Sequence, residues 1–67
     1  MEEGGKFSQL ADAIMTKMRL QDANLGTADL SKANLRGANL QNAIMTDAKT
    51  DGTNFDAAIM PDGKRQE

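Results

Sequence analysis

Large apolar side chains recur at every fifth position through most of the chain. They are Leu10, Met15, Leu20, Leu25, Leu30, Leu35, Leu40, Met45, Phe55 and Met60, with Thr50 standing where one more would fall. Two residues before most of them sits an alanine, and a polar residue lies between, as in Ala23-Asn24-Leu25 and Ala28-Asp29-Leu30. An α-helix cannot bury this set, because five residues turn through about 500° and leave successive leucines roughly 140° apart. A flat strand fails too, since an odd spacing sends successive leucines to opposite faces. A coil of short extended sides joined by bends succeeds, because each unit re-aims its large residue at a common axis. The bends fall on Gly26-Thr27, Ser31-Lys32, Arg36-Gly37 and Gln41-Asn42, which are polar and rich in turn formers. Within a unit the alanine and the leucine share a side-chain direction, and the residue between them points outward. A narrow coil has room for only one large side chain per side, which suits alanine to the second inward position.

The unit Ala-(Asp/Asn)-Leu-x-x resembles that of the pentapeptide repeat family. The match runs from about Ser8 to Asp62, and the four consecutive units at 23–42 fit without exception. The resemblance implies an all-β fold, a right-handed four-sided (quadrilateral) parallel β-helix with four units per coil. It divides the chain into a lead-in or cap at 1–7, the β-helix at 8–62 and a frayed tail at 63–67.

Four units per coil can be tested on charge alone, because residues twenty apart would then stack at about 4.8 Å. Asp12 meets Lys32, Asp29 meets Lys49 and Arg36 meets Asp56 at that offset, all of opposite sign. An offset of fifteen would set Lys17 on Lys32 and Asp47 on Asp62, and one of twenty-five would set Asp22 on Asp47. Such exposed pairs mark register more than they stabilise. The core columns follow as Leu20–Leu40–Met60, Met15–Leu35–Phe55, Leu10–Leu30–Thr50 and Leu25–Met45. Eleven units at four per coil make 2.75 coils, a rod of about 13 Å.

Departures from the repeat are the places where a site would show. Met18 replaces alanine at an inward position, where a flexible side chain would fill the open first coil. Thr50, flanked by Lys49 and Asp51-Gly52, makes the weakest unit, one expected to bulge or loosen. Ile14, Ile44 and Ile59 occupy the outward position, but four-sided geometry puts them on three different faces. Attention therefore moves to the ends, where a short β-helix leaves an unpaired backbone edge and an open core. Phe7, Phe55 and Met60 are the expected end contacts. Phe7 would fold over the first coil, and the turn Pro61-Asp62-Gly63 would close the last, with Pro61 ending the ladder.

Composition removes most chemistry. The 67 residues include no cysteine and no histidine, so disulfides, the common zinc sites and the usual nucleophile–base pairs are excluded. Seven carboxylates between Asp12 and Asp62 are scattered round an exterior with no implied cleft to split their pKa values. A calcium loop through Asp51-Gly52 fails, because Lys49 takes a ligand position and Ala58 stands where the bidentate glutamate belongs. No catalytic residue, cofactor or metal is expected. The net charge of −2 and two phenylalanines give no nucleic-acid footprint. No apolar run is long enough for a bilayer, and the first residues do not read as a secretory signal, so a cytoplasmic location is expected.

These observations point to a non-catalytic interaction or scaffold module with an unidentified protein partner, or a homodimer joined through an open coil end. Neither nucleic acid nor membrane is expected as a partner. Some members of the resembled family mimic a DNA duplex and modulate DNA gyrase. That alternative suits a longer and more acidic rod than this one, whose repeat region carries seven acidic and five basic residues. A remnant of a longer repeat protein, with no separable activity, is the other alternative.

Overall fold

A computed structural model describes residues 9–66. Seven parallel bridges join residues twenty apart, so each coil takes twenty residues. Four sides result. Side 1 stacks Gln9, Asp29 and Lys49, and side 2 stacks Ile14, Asn34 and Asn54. Arg19, Asn39 and Ile59 form side 3, and Asn24 and Ile44 form side 4.

The hydrogen bonds between coils repeat with the same period. The leucine N–H donates to the next coil, as from Leu30 to the Lys49 carbonyl at 2.8 Å and from Leu35 to Asn54 at 2.8 Å. The second bend residue does likewise, as from Lys32 to Asp51 and from Gly37 to Asp56, both at 2.8 Å. The outward residue donates to the coil before it, as from Asn54 to Ala33 at 2.9 Å.

Each corner is a β-turn closed by the N–H at the alanine position on the carbonyl three residues before it, such as Ala38 to Leu35 at 2.9 Å, with Met18 and Thr53 taking the alanine's place at two corners. The second bend residue takes positive φ at all ten corners, from Lys17 at 58° to Gly37 at 72°, which is the type II pattern. Only Gly37 and Gly52 meet that demand with glycine; Asp, Asn, Lys, Thr and Ala fill the rest. The fold therefore holds left-handed strain at its corners, about 1–2 kcal/mol for an ordinary L-residue.

The core lies on the axis. Leu25, Leu30, Leu35 and Leu40 are fully buried, with Ala28, Ala33, Ala38 and Ala58 beside them at 0–1 % exposure. Met15 and Leu20 are also buried, and Leu10, Met45, Phe55 and Met60 pack half-buried against this cluster from the two ends. Thr50 is exposed, yet its unit does not bulge. The bridges Asp29–Lys49 and Asn34–Asn54 are intact on either side of it, and Gly52 keeps the regular corner φ of 71°. Met18 does not fill the first coil but stays 42 % exposed.

The tail differs from the fray expected at 63–67. Pro61-Asp62-Gly63 forms a three-residue hairpin loop, with the Gly63 N–H donating to Met60 at 2.8 Å and Gly63 at a φ of 86°. The chain then reverses across side 3, where Arg65 makes an antiparallel bridge with Ile59. The Met60 N–H donates to Lys64 and the Gln66 N–H to Ala58, both at 2.7 Å. The reason is the free edge: no coil of the described residues stands beyond Ala58–Met60, and a turn ending in a left-handed glycine brings the chain back onto it. Lead-in residues 1–7, with Phe7, and the last residue Glu67 lie outside the described residues.

Candidate interaction surface at the coil end

The walls are built by the outward residues, which do more than face solvent. Each Asn or Asp there turns its Oδ1 back to accept the N–H of the first bend residue. Asn24 accepts from Gly26 at 3.0 Å, Asn34 from Arg36 at 3.1 Å, Asn39 from Gln41 at 3.0 Å and Asn54 from Asp56 at 2.9 Å. That N–H is the one donor the coil-to-coil bonds and the turns do not use. These side chains are thus local caps.

Asp29 makes the same contact with Ser31 at 3.0 Å. Hydrogen bonds from the Ser31 hydroxyl and then its N–H hold the Asp29 carboxyl below its ordinary value, with the facing Lys49 adding to them against partial desolvation. Among the described residues no cluster of carboxylates is placed to hold a metal ion. None of their helices is long and apolar enough to cross a membrane.

The three outward isoleucines stand on separate sides: Ile14 on side 2 (79 % exposed), Ile44 on side 4 (50 %) and Ile59 on side 3 beside Arg65. No apolar stripe forms from them. Basic residues gather instead around side 3 and its corner with side 2, where Lys17, Arg19, Arg36 and Arg65 lie.

The C-terminal end leaves backbone donors open on three of its four sides. On sides 4, 1 and 2 the N–H groups of Met45, Asp47, Thr50, Gly52, Phe55 and Ala57 have no acceptor among the described residues. Their counterparts one coil below, from Leu25 to Gly37, all donate onward. Met45, Phe55 and Met60 line the opening half-buried, with Thr50 exposed between them. Side 3 alone is covered, by the hairpin. The sequence reading brought Phe55 and Met60 to this end but missed Lys64–Gln66 as the partners of Ala58–Met60. The signal was present in Pro61-Asp62-Gly63, a glycine-ended three-residue loop next to a strand.

A pentapeptide repeat model, in eight copies, matches residues 8–47 and 23–61. The chain belongs to the pentapeptide repeat family. Its coil is accordingly that family's right-handed quadrilateral β-helix, a form it shares with HetL from the cyanobacterium Nostoc sp. strain PCC 7120. HetL is a pentapeptide repeat protein involved in heterocyst differentiation regulation. The two are 34 % identical with a TM-score of 0.71, over 85 % of this chain and 30 % of HetL. This pentapeptide repeat chain therefore spans less than a third of that neighbour's length. No curated protein matches it significantly.

Proposed function

We propose that the chain is a non-catalytic protein-interaction module that binds through the C-terminal end of its coil. One observation carries the reading: three of the four sides end in open backbone donors around a half-buried apolar rim. An open edge beside exposed apolar surface is a template for pairing with another chain. A second copy is the partner this end fits, meeting it around a two-fold axis so that the same patch serves both. The hairpin stands one strand above side 3, so the two ends seat only when each hairpin lies over an open side of the other copy.

The likeness to HetL, whose description is regulatory, supports a binding role over a catalytic one. A duplex mimic gains no such support. It needs an unbroken acidic wall, and Lys17, Arg19, Arg36, Lys49 and Arg65 interrupt this one.

Sedimentation over a range of protein concentrations tests the proposal. The parent should show a concentration-dependent dimer. Thr50→Lys, which sets a charge in the open rim without removing an internal hydrogen bond, should be monomeric with an unchanged circular dichroism spectrum. A parent that stays monomeric throughout would remove the second copy as partner. A Thr50→Lys variant that dimerises as well as the parent would move the interface elsewhere.

A further inference from the structure

The chain contains two Asp-Gly pairs, Asp51-Gly52 and Asp62-Gly63, and the fold treats them oppositely. Glycine offers the least steric obstruction to attack by its own backbone nitrogen on the preceding side chain. Local sequence alone would make the two pairs equally reactive.

At Asp62-Gly63 both reacting groups are engaged. The Gly63 N–H donates to the Met60 carbonyl at 2.8 Å, and the Asp62 Oδ1 accepts the Lys64 N–H at 3.0 Å. At Asp51-Gly52 neither group has a partner among the described residues, and both residues are exposed. The cause is the position of this corner at the open coil end. One and two coils below, the equivalent nitrogens of Lys32 and Asp12 donate to Asp51 and Ser31 at 2.8 and 2.9 Å, but no coil of the described residues stands above Gly52.

The corner is held to the coil below, by Thr53 Oγ1 donating to the Leu30 carbonyl at 2.6 Å and the Lys32 N–H to Asp51 at 2.8 Å, but its own turn is longer-bonded than the central ones. Its inward residue is the exposed Thr50, and its closing bond, Thr53 to Thr50, is 3.2 Å. The central turns closed by Ala33, Ala38 and Ala43 measure 2.8–2.9 Å.

We propose that Asp51-Gly52 is a site of spontaneous isoaspartate formation, and that the fold protects Asp62-Gly63. The Gly52 nitrogen attacks Cγ of the protonated Asp51 carboxyl. The N–Cγ bond forms, the Cγ–OH bond breaks, and the amide proton and hydroxyl leave as water. Water then opens the resulting five-membered imide. Attack at the former side-chain carbonyl regenerates aspartate. Attack at the former backbone carbonyl leaves the chain running through Cγ, with one extra methylene in the backbone.

That extra atom falls between Lys49 and Asn54. Their carbonyls accept the Leu30 and Leu35 N–H groups, so isomerisation would shift the last coil against the one beneath it.

The test ages the full chain at neutral pH and 37 °C. Isoaspartate is read by carboxyl methylation with a protein isoaspartyl methyltransferase and located by tandem mass spectrometry. The Asp51 label should grow faster than the Asp62 label by up to roughly tenfold, the population effect of opening one net hydrogen bond. In strong denaturant the two rates should converge, which separates protection by the fold from local sequence. Asp51→Glu, a conservative change at an exposed corner, should abolish the Asp51 label and leave Asp62 unchanged. Equal labelling of the two sites in the folded chain would overturn the proposal, as would a disparity that persists in denaturant.

Discussion

Replacing the two least suitable left-handed residues should stabilise the chain, and the size of the gain can be worked out. Thr27 (φ 59°) is β-branched and Ala57 (φ 59°) has no polar group to hydrogen-bond locally; both are exposed. An L-residue in this region costs about 1–2 kcal/mol. Asparagine tolerates the region well and does not carry the unfolded-state entropy of glycine. Ala57→Asn should therefore recover about 1 kcal/mol. Thr27→Asn should recover a similar strain less about 0.5 kcal/mol for the exposed Oγ1 bond to the Gly26 carbonyl. The residues sit at different corners of the coil and share no partner, so the gains should add to about 1.5 kcal/mol. For a chain of this size that is roughly 6–12 °C in Tm. Thermal melts followed by circular dichroism would measure it, with Asp22→Asn as a control because aspartate already suits a φ of 63°. A double variant melting at or below the parent would refute the claim that corner strain limits this fold.

Three further outcomes follow from the same geometry. Leu35→Ala empties a fully buried position in the middle of its column and should cost about 2–5 kcal/mol, enough to unfold much of the chain at 25 °C by circular dichroism. Asn34→Ala deletes the cap on the Arg36 N–H and should lower stability in urea by about 0.5–1.5 kcal/mol, whereas Ile44→Asn adds the missing cap for Thr46 and should raise it. The folded value of Asp29 is lowered, so its contribution is present above the ordinary 3.8 and lost as pH falls through the folded value. Asp29→Asn keeps the cap on Ser31 but not this titration, and its urea midpoint should fall less than the parent's below about pH 4.

The side length and the stacking offset were legible because they are arithmetic properties of the repeat. Leucines five apart exclude helix and flat strand, and charges twenty apart choose four sides, as the bridges Asp29–Lys49 and Asn34–Asn54 show. What escaped was set by single hydrogen bonds. Asn and Asp at the outward position looked like solvent-facing residues, although their oxygens are committed to the backbone two residues on. The tail looked like a fray because Lys64-Arg65-Gln66 is charged and polar. Its order comes from the edge of Ala58–Met60 opposite it, reached through the Pro61-Asp62-Gly63 loop, a local signal that the tail's composition masks.

The backbone donors explain the repeat more completely than the leucines do. In a regular unit the leucine, the second bend residue and the outward residue donate to neighbouring coils, and the alanine closes the turn. The first bend residue is left over, and the Asn or Asp before the leucine answers it. Leucine thus accounts for burial, alanine for the narrow bore, and Asn or Asp for the fifth donor. The same accounting explains Pro61. Proline lacks that N–H, and it stands at the first bend position after Ile59, where no Asn or Asp is present to accept one. Proline is thus compatible with the coil at this corner, and what ends the coil is the glycine two residues later. Gly63 takes the left-handed turn one place beyond the regular corner position, and that single displacement sends the chain back along side 3 instead of on to side 4.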